Sequence, residues 1–136
     1  NGEKIFPLST VANKNIVFCN ESGKWVQYKS DRFGFHNPDE IWEEKDLGWI
    51  IIGDSFAHGN CVPSKKNVAG RIRSLTNDAV LNLGHMGNGP LAELAALNEY
   101  GKFKKPNKVI WILICKRANF IRREEIVIFP MNPSVC

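Results

Sequence analysis

The chain has 136 residues, 18 Lys and Arg against 14 Asp and Glu, a net charge of +4, and 43% hydrophobic residues. That length allows one domain at most, with room for a real core, and the apolar and charged fractions are those of ordinary globular proteins. The cationic residues are scattered (Lys65 and Lys66, Arg71, Arg73, Lys102 to Lys105, Arg122 and Arg123). No basic motif is interleaved with aromatics, so the charge reads as solvated surface and no nucleic-acid partner is expected. No apolar run approaches the roughly 20 residues of a membrane span. No signal peptide is visible in these residues, and the compartment stays open. Cys19, Cys61, Cys115 and Cys136 form no C-x-x-C pair. Neither a zinc site nor any other metal or cofactor is expected. Cys61 and Cys115 read as structural, and spacing alone fixes no disulfide.

In chain order, residues 1–45 read as a β-rich lead-in. Residues 15–19 and 24–28 flank a Gly-containing loop and suggest a hairpin. Residues 31–38 are rich in turn formers, and His36, before Asn37 and Pro38, reads as a surface or turn residue. Residues 40–46 are charged, with Trp42 the exception. Residues 48–53 are a short apolar run closed by a turn signal, the pattern of a strand buried on both faces. Val62, Pro63 and Ser64 look like a helix start, with Val68, Ile72 and Leu75 at helical spacing and an end near 76–78. Residues 79–83 suggest a second strand, 84–90 a glycine loop, and 91–100 a helix stopped by Gly101. Residues 102–107 read as a basic loop and 109–115 as a third strand. Beyond it, residues 120–125 suggest a helix, 126–129 a strand, and 130–136 a loose tail. Alternating strands and helices argue for α/β architecture with a parallel sheet and right-handed crossovers over residues 46–136.

A buried parallel strand delivers its last residues to the carboxyl edge of the sheet, where α/β proteins place their ligands. Here those residues are Gly53, Asp54 and Ser55. The run from Gly48 to Gly59 resembles the first sequence block of the SGNH/GDSL hydrolases. The stretch from Val80 to Pro90, a strand ending in Asn and then a glycine loop, is similar to the family's second block. Residues 30–39 look like the lead-in of some bacterial members. The resemblance covers roughly residues 28–115. It implies a three-layer flavodoxin-like fold with strand order 2-1-3 and a site at the switch between the first and third strands. It also implies an ester hydrolase that forms an acyl-enzyme on Ser55. The backbone N–H groups of Ser55 and Gly87 would face the oxyanion, with Asn119 as third donor, while Gly53 and Asp54 shape the turn. A small-molecule or carbohydrate ester would be the substrate, with no cofactor.

The chain departs from the family in two places. The third block, Gly-x-Asn-Asp, is represented only by Asn119, and the final Asp-x-x-His block is absent: no Asp follows Asp78 and no His follows His85. The expectation is therefore a fragment, incomplete at its carboxyl end and inactive as such. A serine hydroxyl needs a general base, and His58 and His85 are the substitutes within reach. Each functional residue also has a plain alternative: Ser55 as a helix N-cap, Gly87 as a turn glycine with positive φ, Asn119 as a loop residue. The competing function is a non-catalytic binding or assembly domain of the same fold. A nucleotide-binding domain is disfavoured, since the 84–89 loop is not G-x-G-x-x-G and no P-loop Lys follows.

Overall fold

A computed structural model describes residues 7–21, 23–116 and 122–130. Strands β1 (Asn15–Cys19) and β2 (Val26–Lys29) pair antiparallel as the expected hairpin. A 3-10 turn, Asp39–Glu43, leads to β3 (Asp46–Gly53). Then follow a one-turn helix α1 (Ser55–His58), α2 (Val68–Thr76), β4 (Val80–Asn82) and α3 (Pro90–Ala96). A wide π turn, Leu97–Gly101, extends α3 before β5 (Lys105–Lys116) and β6 (Arg122–Pro130). The sheet order is β4-β3-β5-β6. The first three strands run parallel, with the second flanking the first and the third on its other side, and β6 is antiparallel to β5. The protein is thus α/β with a mixed sheet.

Consecutive residues of β3 face opposite ways, as pleating requires. Ile50 and Ile52 pack with Leu81, Leu83, Val109 and Ala96 of α3, and with Phe35 and Ile41 from the segment before β3. Ile51 packs with Val80, Ile110 and Ile112, and with Ala57 of α1 and Ala69 of α2. Helices therefore cover both faces. Burying each of these large side chains contributes roughly 1.5–3 kcal/mol.

Three expected boundaries move. Helix α2 begins at Val68, not near Ser64, because Asn67 caps it: its Oδ1 accepts the Gly70 N–H at 2.7 Å. Strand β5 begins at Lys105, inside the expected basic loop, since pairing with Asp46 and Leu47 of the long β3 extends the ladder. Residues 122–125, expected to be helical, belong to β6, where Arg122 pairs with Lys116 and Glu125 with Leu113. Cross-strand pairing overrides the local helix preference of an Arg-Arg-Glu-Glu run.

Strand β4 is an edge, and its outward backbone groups are covered by side chains. Its inward groups join β3 through Trp49 N–H to Ala79 O (3.2 Å) and Leu83 N–H to Ile51 O (2.8 Å). Outward, the Asn82 N–H donates to Asn37 Oδ1 (2.9 Å), and the Asn82 carbonyl accepts from Asn37 Nδ2 (2.8 Å). The Val80 carbonyl accepts from Arg73 Nη2 (2.6 Å) and Nε (3.2 Å). Arg73 Nη2 also donates to Asn37 Oδ1 (2.9 Å), and Asn37 Nδ2 to Asp31 Oδ2 (2.9 Å). The Asn37 amide thus acts as one rung of a missing strand. An open edge of a parallel sheet invites aggregation; here the β4 edge is capped in this way, and β6 pairs with β5 and forms the other edge.

The hairpin is tied to the loop after α1 by a Cys19–Cys61 disulfide across 42 residues. Closing a loop of that length in the unfolded chain should stabilise the fold by about 3–4 kcal/mol. Dithiothreitol should therefore lower the melting temperature, and Cys19→Ser should abolish the difference between reduced and oxidised samples. An unchanged melting temperature on reduction would show that the bridge constrains nothing. Asn37→Ala strands the buried Asn82 backbone groups and Asp31 together, so the urea midpoint should fall by the equivalent of about 3 kcal/mol. A loss under about 1 kcal/mol would mean that water replaces the amide.

Candidate active site

The turn that ends β3 is built for a tight approach. Gly53 has φ 145°, and a Cβ there would lie 2.6 Å from Ile112 O of the neighbouring strand. Asp54 caps α1 by accepting the Phe56 N–H on Oδ1 at 3.0 Å. Asp54, not Ser55, is the N-cap, and Ser55 is the first helical residue, half-buried. Its hydroxyl has no hydrogen-bond partner among the described residues. The following loop is fastened to the same turn by the His85 N–H, which donates to Gly53 O at 3.1 Å. Gly84 packs so closely on α1 that a Cβ would lie 2.5 Å from the His58 nitrogen. Gly87 is exposed on this loop with φ 80°, a value that favours glycine whatever its role. Asn119 lies outside the described residues.

The two candidate bases lie on the expected elements, His58 on α1 and His85 in the glycine loop, but neither hydrogen-bonds Ser55. His58 is 1% exposed, and its Nε2 bonds the Tyr28 hydroxyl of β2 at 2.9 Å. It packs edge-on against Phe18 and Tyr28, away from any bond to Ser55, and its Nδ1 is buried without a partner. Burial, with His36 and His85 nearby, pushes its pKa down to about 3. His36, expected as a surface or turn residue, lies in a bend but is 3% exposed and stacked on Tyr28 with centroids 3.8 Å apart. Burial pushes its pKa down to about 4. Its Nδ1 lies 3.1 Å from the His58 carbonyl oxygen and its Nε2 2.6 Å from Ser64 Oγ. A carbonyl only accepts, so Nδ1 carries the hydrogen and Nε2 accepts from the serine. His85 is half-buried, its ring centroid 6.2 Å from that of His58, and burial lowers its pKa too. It makes no described hydrogen bond to Ser55.

Two groups near this edge escaped the sequence. Glu93, in the first turn of α3, is 3% exposed, and its Oε2 accepts the Trp111 Nε1–H of β5 at 2.6 Å. Burial raises its pKa, the Trp111 bond opposes this, and the charge of Asp54 adds to the rise. A Glu at helical spacing reads as solvent-facing, and only the placement of Trp111 over it says otherwise. Asn88 is also buried, with its amide nitrogen unpaired. Among the described residues no three His, Cys, Asp or Glu side chains are grouped to hold a metal ion. No helix among them is long and apolar enough to cross a membrane. No family model, no curated protein and no solved structure matches this chain.

The buried imidazoles make stability depend on pH. Their folded pKa values, about 4 and about 3, lie below the unfolded value near 6.5. The unfolded chain therefore binds more protons between these limits, and stability falls as pH drops from 6.5 toward 3. Above 6.5 the two groups have no effect. Between pH 7.5 and 4.5 the urea-derived stability should decline by up to about 5 kcal/mol. A flat profile over that range would show that the two rings are not held neutral.

Proposed function

We propose that this chain carries the nucleophile and oxyanion elements of a serine ester hydrolase of the SGNH/GDSL type, with the family's flavodoxin-like three-layer fold. One observation carries the reading: Ser55 opens a one-turn helix at the carboxyl end of the buried β3, and the 84–89 loop is bonded to that same turn. Ser55 Oγ attacks the ester carbonyl. The Ser55 and Gly87 N–H groups meet the oxyanion, with Asn119 as third donor, each worth roughly 3–4 kcal/mol in the transition state. Short acyl groups, including O-acetyl groups on carbohydrate, are the substrate class. No described histidine hydrogen-bonds Ser55, so the described residues do not show its proton acceptor.

A second reading, a non-catalytic binding or assembly domain, is favoured by the burial of His58. The imidazole nearest in sequence to Ser55 is committed to Tyr28 and held neutral. Hydrolysis of a short-chain aryl ester separates the two. In the intact hydrolase, where a base is supplied, the first reading expects turnover above the chemical background, with Ser55→Ala retaining no more than a few per cent of kcat/KM. Equal rates in the parent and in Ser55→Ala would remove Ser55 from the chemistry and leave the binding reading.

A further inference from the structure

We propose that Ser64 is a second activated nucleophile, with His36 as its general base, and that it takes acyl groups from small esters bound in the cavity beside it. The cavity measures about 670 Å³, and Ser64 lines it together with Asn37, Pro38, Lys65 and Arg73. It is separate from the turn that holds Ser55. Three features of the geometry carry the assignment. Ser64 Oγ donates to His36 Nε2 at 2.6 Å, within the range for a nucleophile and its base. The other ring nitrogen, Nδ1, donates to the His58 carbonyl, which fixes the tautomer and the ring plane as an orienting carboxylate does in a catalytic triad. Tyr28 stacks on the ring and leaves it one orientation.

The turn supplies the remaining element. The Pro63 carbonyl accepts from the Lys66 and Asn67 N–H groups at 2.7 and 3.1 Å. The Ser64 and Lys65 N–H groups, at the head of that turn, donate to no acceptor among the described residues. They are the donors for an oxyanion formed on Ser64. In the first step Ser64 Oγ bonds the ester carbon, its proton passes to His36 Nε2, and the C–O bond breaks with the alcohol leaving on that proton. In the second, water attacks the acyl-serine, gives a proton to His36, and the acid leaves as Ser64 regains its hydrogen. His36 has no carboxylate bonded to it. Burial opposes its imidazolium most, the His58 carbonyl supports it, Arg73 opposes it and Asp31 supports it. Acylation should therefore be easier to detect than turnover.

The test treats the full 136-residue chain with an alkyl fluorophosphonate, natively and in 8 M urea, and maps the adduct by mass spectrometry of the digest. The proposal expects a native adduct on Ser64 that is absent in urea. It also expects labelling at least tenfold slower in His36→Gln, with the fold checked by circular dichroism. If that variant does not fold, the comparison between native chain and urea decides. No adduct on Ser64, or equal labelling with and without urea, overturns the proposal. Because the adduct is mapped, labelling confined to Ser55 overturns this site and leaves the Ser55 reading standing, whereas labelling confined to Ser64 supports this site and leaves the Ser55 reading, whose base no described residue supplies, to the ester assay.

Discussion

The Asn37 amide bonded to the backbone of Asn82 holds together the parts on which everything else depends. A three-residue edge strand has little pairing of its own, and β4 must present Asn82 and the loop after it at a fixed height beside β3. Asn37 supplies both the donor and the acceptor that a further strand would supply, and Arg73 covers the remaining carbonyl. Asp31 in turn fixes Asn37, accepts the Trp42 Nε1–H at 2.9 Å, and accepts the Phe33 and Phe35 N–H groups. Every polar atom of the Asn37 amide is engaged, which is the condition for a buried polar network to stabilise a fold. The same network sets Asn82, whose Nδ2 donates to Ala57 O at 2.7 Å and whose Oδ1 accepts the Gly84 N–H at 2.9 Å. Two asparagine side chains thus link the lead-in, the edge strand, α1 and the glycine loop.

This linkage explains why the segment before β3 does not behave as a loose approach to the sheet. Phe35 and Ile41 lie in the same core cluster as Ile50 and Ile52. With residues 31–37 held by the Asp31 and Asn37 bonds, the His36 ring is turned inward and buried beside α1. There it meets Tyr28 from the hairpin and His58 from α1. The aromatic cluster and the Cys19–Cys61 bridge fasten the hairpin to the turn that carries Ser55. Desolvation outweighs every favourable contact of the two imidazoles, so both remain uncharged in the folded protein.

The central strands and their neighbours were legible because each is a short apolar run closed by a turn former, a signal that depends on local chemistry alone. The hairpin was legible for the same reason. What failed is non-local. Ser64 read as a helix cap because serine, lysine and asparagine follow one another there, and the competition among caps was decided three residues later by Asn67. Residues 122–125 read as helix because nothing local reveals the strand waiting opposite. His36 read as a turn residue because a histidine before Asn-Pro gives no hint that partners lie 22 and 28 residues further on. Ser55 and Gly87 could be named from motif resemblance, yet the same resemblance said nothing of Glu93, whose burial depends on a tryptophan 18 residues away.

The two serines present opposite halves of the same chemical problem. Ser55 sits at the carboxyl edge of a parallel sheet, where a loop and a helix start converge on it, but no described imidazole bonds its hydroxyl. Ser64 has the imidazole, in the correct tautomer and at hydrogen-bond distance, but no carboxylate to stabilise the cation that forms. The cause is common to both. The segment carrying His36 is fixed by Asn37 on one side and by Tyr28 stacking on the other, and this directs Nε2 toward the 63–67 turn. His58, in the turn after Ser55, spends its Nε2 on Tyr28 and its carbonyl on His36. The packing that secures the hairpin therefore removes a base from Ser55 and orients one for Ser64. A hydroxyl at neutral pH gains nucleophilicity from the base that contacts it, and among the described residues Ser64 is the serine in contact with an imidazole.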